Sequence, residues 1–184
     1  ELRKRGYEVL THLGEGHTRD AYLVLFNSPD GSFQDRRVAK IQKREIDETS
    51  ITTRINQSKG DSQIRELVLA RKFRSKHFTR IYDVVSTEQG LVIIEDYDDK
   101  SISLEALIQR AGPIINPQRF SSIFSQVVTG LQELYDAGFL HRDIKPSNLL
   151  VGEGNESVKI TDLQNTGAST GRSKLLPTRG ATAY

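Results

Sequence analysis

The chain has 184 residues, of which 36% are hydrophobic and 27% are charged, and its formal net charge is +2. So small a net charge argues against nucleic acid as a partner, and no apolar run approaches the ~20 residues that cross a bilayer. The absence of cysteine excludes a disulfide framework and a cysteine-ligated zinc site, and it agrees with a cytoplasmic location. Because residue 1 is Glu and methionine is absent, we expect the chain to begin inside a longer reading frame or to have been processed.

The first half of the chain predicts a small β-rich lobe over residues 1–97. Short apolar runs alternate there with turn-forming residues, a pattern that is typical of strands. We predict strands at residues 7–13, 20–27, 33–41, 80–86 and 90–97. The first three form an antiparallel meander with a turn at residues 28–31. A helix is predicted over residues 61–73, with Asp61 as its cap.

The second half predicts a partial, mainly helical lobe over residues 98–184. A short helix is expected at residues 103–110, and a long helix at residues 117–137 precedes two short strands at 149–151 and 158–161. The fold class is therefore α+β with two lobes, and a cleft between two lobes is a natural ligand site.

The long helix carries the clearest local signals in the sequence. Asn116 is suited to cap it, Pro117 suits its first position, and Gly138 ends it. One apolar stripe is expected along it, made of Phe120, Ile123, Phe124, Val127, Leu131 and Leu134.

The chemistry is concentrated in the loop at residues 141–148, which reads His-Arg-Asp-Ile-Lys-Pro-Ser-Asn. Phosphoryl transfer to a hydroxyl needs a carboxylate that accepts the hydroxyl proton, a cation near the transferring phosphate, and oxygen ligands for Mg²⁺. Asp143, Lys145 and Asn148 supply these three groups within six residues, and Asp162 adds a second metal carboxylate after a predicted hairpin.

This loop resembles the catalytic loop of the eukaryotic-type protein kinase family, and its Lys145-Pro146 pair resembles the Ser/Thr type. The other motifs of the family follow in order along nearly the whole chain. They are the glycine-rich loop at residues 13–22, the lysine strand at 37–40, the hinge at 93–97, Asp162-Leu163-Gln164 in place of D-F-G, and a segment at 180–184 like the one before A-P-E. The resemblance implies a bilobal kinase fold cut short in its second lobe, which would expose apolar surface.

The resemblance also implies a role for each matching residue. Asp143 would accept the proton of a protein Ser or Thr hydroxyl, Lys145 would stabilise the γ-phosphate, and Asn148 and Asp162 would bind Mg²⁺. Lys40, fixed by Glu66, would hold the α- and β-phosphates of ATP. The loop residues expected to cover the nucleotide are Leu13, Gly14, Glu15, Gly16 and Ala21.

Further roles concern adenine recognition and regulation. Backbone groups of Glu95 and Tyr97 would bind adenine, with Ile94 as the gatekeeper, and His141 would orient the catalytic loop without proton chemistry. Arg142 would pair with a phosphate on the activation segment. The candidate phosphate acceptors are Thr166, Ser169, Thr170, Ser173 and Thr178. The expected partners are ATP, a protein substrate and, for autophosphorylation, a second copy of the protein; neither nucleic acid nor a membrane segment is expected.

Two departures from the family keep alternatives open. Arg19 stands at the third glycine of the loop, where we expect its side chain to point into solvent, and Gln164 replaces the glycine of D-F-G. These changes motivate a nucleotide-binding pseudokinase that acts as a regulatory scaffold. A small-molecule kinase of related fold is a third reading, which the Lys145-Pro146 pair disfavours.

Overall fold

The structure is a computed structural model that describes residues 1–16, 19–43, 73–87, 90–111, 116–152, 157–163 and 166–168. The chain divides into two compact units, Glu1–Arg71 with Thr79–Asp99, and Lys72–Phe78 with Lys100–Tyr184. Apart from Phe73, the helix predicted over residues 61–73 lies outside the described residues, and so does Glu66.

The described part of the first unit is a five-stranded antiparallel sheet with the strand order β1-β2-β3-β5-β4. Its strands are β1 (Tyr7–Glu15), β2 (Arg19–Asn27), β3 (Gln34–Gln42), β4 (Ile81–Thr87) and β5 (Gly90–Asp96). The meander predicted from the sequence is confirmed, including the turn before β3, where the Gly31 N–H donates to the Ser28 carbonyl at 2.9 Å. Gly31 has a φ of 70°, a value that favours glycine.

One face of this sheet carries the apolar core of the unit. Its buried residues are Tyr7, Val24, Ala39, Val85, Val92 and Ile94. In the β3–β5 pair Ala39 lies opposite Ile94, whereas Val38 lies opposite Glu95 and Lys40 opposite Ile93. Because successive side chains of a strand point to opposite faces, Lys40 and Glu95 share the face that does not carry this core.

The second unit combines two helices with short strands among the described residues. Its helices are α1 (Leu104–Ala111) and α2 (Pro117–Asp136). Its strands are β6 (Ser101–Ser103), β7 (Phe139–Leu140), β8 (Leu149–Gly152), β9 (Val158–Ile160) and β10 (Gly167–Ala168). They pair as β6-β8-β9 and β10-β7. The α+β class is confirmed, whereas β6, β7 and β10 were not predicted from the sequence.

Helix α2 begins as the sequence predicts. The Asn116 side chain accepts hydrogen bonds from the backbone N–H groups of Gln118 at 2.9 Å and Arg119 at 3.3 Å. Its buried residues are Ile123, Val127, Gly130 and Leu134. Two residues of the predicted stripe, Phe120 and Phe124, are 50% and 58% exposed, so the stripe is buried only in part.

Helix α2 packs closely against the segment before β4 and against β9. A Cβ atom added to Gly130 would lie 2.8 Å from the Cβ of His77 and 3.1 Å from Cδ1 of Ile160. Nδ1 of His77 also lies 3.1 Å from Oε1 of Glu133 on the same helix. The Ile160 N–H in turn donates to the His77 carbonyl at 2.7 Å. These contacts fix β9, and hence the residues that follow it, on the long helix. Within the described part of the chain, no helix has both the length and the hydropathy that crossing a membrane requires.

Candidate active site

The loop between β7 and β8 forms a compact polar cluster around Asp143. Oδ2 of Asp143 accepts from Nζ of Lys145 at 3.0 Å and from Nδ2 of Asn148 at 3.1 Å. The same Nδ2 donates to the backbone carbonyl of Asp143 at 2.8 Å. The bonds to the carboxylate are charge-assisted and stronger than neutral ones. Asp143 is therefore held in a defined position relative to Lys145 and Asn148.

His141 joins this loop to the segment that leads to Asp162. Its imidazole is buried, and Nε2 lies 3.0 Å from the Thr161 carbonyl oxygen. The backbone N–H of Asp143 donates to Nδ1 of the same ring at 3.3 Å. A carbonyl only accepts and an N–H only donates, so Nε2 carries the proton and Nδ1 accepts. His141 thus has a framework role here that matches the sequence expectation.

The hairpin β8–β9 brings Asn148 and Asp162 to the same end of a strand pair. Leu149 lies opposite Ile160, and the Thr161 N–H donates to the Asn148 carbonyl at 3.0 Å. Asp162, the next residue, has a φ of 73°. A residue other than glycine in this region of φ is strained, and such strain is concentrated at functional sites.

The side chains of Asn148 and Asp162 fit the donor set of a magnesium site. Mg²⁺ prefers oxygen ligands and is usually bound by one or two carboxylates together with substrate phosphates. Nδ2 of Asn148 is engaged with Asp143, which leaves Oδ1 as the ligating atom of the amide. Among the described residues there is no group of three or more His, Cys, Asp or Glu side chains that could hold a metal ion.

The first unit contains the residues that the sequence assigns to nucleotide binding. Nζ of Lys40 lies 3.2 Å from Oε2 of Glu95, and these side chains are only 15% and 4% exposed. The Thr79 hydroxyl donates to the same Oε2 at 3.0 Å. Ile94, the expected gatekeeper, lies in the core cluster on the opposite face from Lys40. The β5 side chain that meets Lys40 is therefore Glu95, for which the sequence suggested only a backbone role.

The glycine-rich loop connects β1 and β2. Leu13, Gly14 and Glu15 end β1, and Gly14 lies opposite Ala21 of β2. The Gly16 N–H donates to the Arg19 carbonyl at 2.8 Å, and a Cβ on Gly16 would approach that oxygen to 2.6 Å. Glycine is thus required at Gly16 by a close backbone approach.

The acidic residues of this loop share one cation. Nζ of Lys43 lies 3.4 Å from Oε2 of Glu15 and 3.2 Å from Oδ1 of Asp20. The hydrogen bond with Asp20 is the main cause of the raised pKa of Lys43. Arg19 is only partly exposed and its Nη1 is buried, so the expectation that it points into solvent was wrong.

The residues expected to regulate the site have distinct surroundings. The guanidinium of Arg142 packs on the backbone of Gly167 so closely that a Cβ there would lie 1.9 Å from Cζ of Arg142. Arg142 itself has a φ of 67°. Thr166, one of the expected phosphate acceptors, is buried, and its Oγ1 is buried as well. In this conformation its hydroxyl is not accessible to a second protein. The other four expected acceptors lie outside the described residues.

The predicted site residues thus fall into two groups. The second unit brings together Asp143, Lys145, Asn148 and the segment of Asp162, and the first unit contains Lys40, Glu95, Tyr97 and the glycine-rich loop. Glu66 and Gln164 lie outside the described residues. Sequence reasoning missed the side-chain contacts of Glu95, Thr79 and Lys43. The contact between Lys40 and Glu95 could have been predicted from the sequence only if the pairing register of β3 and β5 had been known.

Comparison with known proteins gives a consistent result. A family model described as the protein kinase domain matches residues 7–184. Cyclin-dependent kinase 7 of Caenorhabditis elegans is 28% identical over 158 residues, which are 86% of this chain and 44% of that protein. Cell division control protein 2 homolog 2 of Trypanosoma brucei brucei is 31% identical over 157 residues, which are 85% of this chain and 41% of that protein. The chain spans less than half the length of these two relatives.

Proposed function

Because the chain belongs to the protein kinase domain family, we propose that the complete protein transfers the γ-phosphate of Mg–ATP to serine and threonine hydroxyls of proteins. The observation that carries the proposal is the cluster around Asp143, in which Lys145 and Asn148 both contact one carboxylate oxygen. Such a cluster provides a proton acceptor, a cation and a metal-ligating amide within one loop.

In the proposed reaction the substrate hydroxyl oxygen attacks the γ-phosphorus of ATP. Its proton passes to the carboxylate of Asp143, which Lys145 and Asn148 hold in position. The bond from the γ-phosphorus to the bridging oxygen breaks, and ADP leaves. The Lys145 side chain is 48% exposed, so its ammonium group is accessible to a phosphoryl group. It would stabilise the negative charge on that group during transfer.

The remaining roles concern binding and orientation. Bound Mg²⁺ neutralises phosphate charge, and Asn148 and Asp162 are the residues that would hold it. Lys40 would hold the α- and β-phosphates, and backbone N–H groups of the glycine-rich loop would cover them. Arg142 is proposed to receive a phosphate of the activation segment. The hydroxyl-rich sequence after residue 168 makes a second copy of the protein a candidate substrate.

Phosphate transfer by the complete protein tests this proposal. Radiolabelled ATP with a protein substrate should give transfer that the Asp143→Asn variant lowers by about two to four orders of magnitude, because general base catalysis is lost. Binding of Mg–ATP should change little in that variant. Asp136→Asn is a matched control, since Asp136 lies on α2 and accepts from exposed Gln132.

A pseudokinase scaffold is the second candidate, and Gln164 in place of the family glycine is the observation that favours it. It predicts that the complete, activated wild-type protein binds Mg–ATP and transfers no phosphate. Transfer to metabolites but not to proteins in parallel assays would instead identify a small-molecule kinase.

A further inference from the structure

We infer that Glu95 is a positioning residue for Lys40, and that its carboxylate fixes the ammonium group that the nucleotide phosphates are to meet. The role toward phosphate rests on the proposed function. The contact between the two side chains does not, because it is made within the first unit of the protein itself.

The pairing of β3 and β5 makes the contact a consequence of the fold. Glu95 lies directly opposite Val38, two residues before Lys40 on β3. Two such residues share a face of the sheet and are diagonal neighbours, within reach of long side chains. The 3.2 Å separation of Nζ and Oε2 therefore follows from the register of the strands.

Burial makes this contact different from a surface ion pair. The Lys40 and Glu95 side chains are 15% and 4% exposed. Burial of a charged group is costly unless the group is paired and hydrogen-bonded, and the contact between the two side chains provides such a pairing. Thr79, itself buried, donates to the same carboxylate oxygen at 3.0 Å and so limits the rotation of the Glu95 side chain.

The contact leaves Lys40 able to bind a ligand. An ammonium group has three N–H donors, so donation to Oε2 of Glu95 is compatible with simultaneous donation to phosphate oxygens. A hydrophobic residue at position 95 would fill space without fixing the ammonium. Ile94 cannot replace Glu95, because it lies opposite Ala39 on the other face of the sheet.

Comparing ligands with and without phosphates distinguishes a positioning role of Glu95 toward Lys40 from a general effect of Glu95 on the fold of the first unit. We expect Glu95→Gln in the complete protein to weaken Mg–ATP binding roughly tenfold, the loss that a charge-assisted hydrogen bond represents, and to leave adenosine binding unchanged. Thr79→Val should act in the same direction and more weakly. Asp83→Asn, a control on β4 whose carboxylate pairs with exposed Arg5, should affect neither ligand. Equal losses for ATP and adenosine, or unchanged or tighter ATP binding, would overturn the inference.

Acylation of lysine provides a readout that needs no nucleotide. With a water-soluble N-hydroxysuccinimide ester of acetate and site-resolved mass spectrometry, Lys40 should react several times faster in Glu95→Gln than in wild type, relative to exposed Lys76 in the same sample. If Glu95→Gln does not fold, the acylation rate of Lys40 relative to Lys76 can be compared between Thr79→Val and wild type instead. Equal rates would contradict the inference. Failure of the wild type to bind Mg–ATP, with a clear difference in acylation, would reject the proposed function and retain the Lys40–Glu95 relation.

Discussion

The two units hold their charged residues in different ways. In the first unit Lys40 and Glu95 form a buried pair, whose side chains are 15% and 4% exposed. In the second unit the Asp143–Lys145 pair is more exposed, at 26% and 48% of the side chains. The position of that loop also depends on hydrogen bonds to backbone groups, which His141 and Asn148 make. Removal of a charge should therefore destabilise the first unit far more than the second.

The largest expected effect is loss of one partner of the buried pair. Lys40→Met should lower the free energy of unfolding by about 3–5 kcal/mol, because the buried carboxylate of Glu95 then loses its 3.2 Å contact with the ammonium group. Asp143→Asn should change it by less than about 1 kcal/mol, since exposed ion pairs contribute little. Urea denaturation of the complete protein measures both.

The double variant Lys40→Met/Glu95→Leu sharpens this comparison. It removes both charges, so it should be more stable than Lys40→Met alone. If the losses in unfolding free energy from Lys40→Met and Glu95→Leu were additive, the two side chains would not interact. The contrast between a buried pair in the first unit and an exposed pair in the second would then be contradicted.

Much of the fold could be predicted from local signals. The strands of the meander and helix α2 are long enough to show a period, and Asn116, Pro117 and Gly31 have position-specific roles that the structure reproduces. Strands of two residues, such as β7 and β10, carry no such signal. Their pairing depends on where the chain returns after the hairpin β8–β9. The exposure of Phe120 and Phe124 depends on which elements pack on α2, and periodicity alone does not contain that information.

The second-unit part of the site was easier to predict than the first-unit part. Asp143, Lys145 and Asn148 belong to one short loop, so their proximity follows from chain connectivity. The contact between Lys40 and Glu95 spans 55 residues and depends on strand register. A register shift between Ile81 and Asp83 in the β4–β5 pair also shows that simple alternation does not extend through this sheet. The face occupied by Glu95 could therefore not be read from its position in the sequence.

Loss of the imidazole of His141 should be the next largest effect. His141→Phe leaves the Thr161 carbonyl and the Asp143 N–H without their partner, which should cost about 2–4 kcal/mol of unfolding free energy in total. Phosphate transfer should fall as well, because the Asp143 loop loses its link to the Asp162 segment. His12→Phe on β1 is the control, since His12 is exposed and makes a tilted ring contact with Tyr22 at a centroid distance of 5.0 Å. Equal unfolding free energies for the two variants would contradict a structural role of the His141 hydrogen bonds in the second unit.

The close packing of α2 at Gly130 should contribute less to the unfolding free energy than the hydrogen bonds of His141. Gly130→Ala places a Cβ 2.8 Å from the Cβ of His77, and we expect a loss of about 1–3 kcal/mol from overpacking. Helix propensity alone would make the same change favourable by roughly 0.5–1 kcal/mol. Thr129→Ala, at the adjacent exposed position, is the control for an alanine that meets no neighbouring segment; it also removes the hydrogen bond from the Thr129 hydroxyl to the Ser125 carbonyl. A Gly130→Ala protein that is more stable than wild type in urea would mean that α2 can move away from His77 at little cost.

The smallest expected effect concerns Asp30, in the turn before β3. The Ser28 hydroxyl, followed by the hydroxyl and N–H of Ser32, lowers the pKa of Asp30 from 3.8 to about 2. A carboxyl whose pKa is lower in the folded state stabilises the fold above its unfolded pKa, and this contribution disappears as the pH falls towards 2. The difference in unfolding free energy between wild type and Asp30→Asn should therefore shrink between pH 4 and pH 2. Because Asp30 is fully exposed, screening keeps the effect small. An NMR titration of the Asp30 carboxyl carbon tests the cause directly: Ser28→Ala should raise the midpoint, and a wild-type midpoint near 3.8 would contradict the proposed role of the two serines.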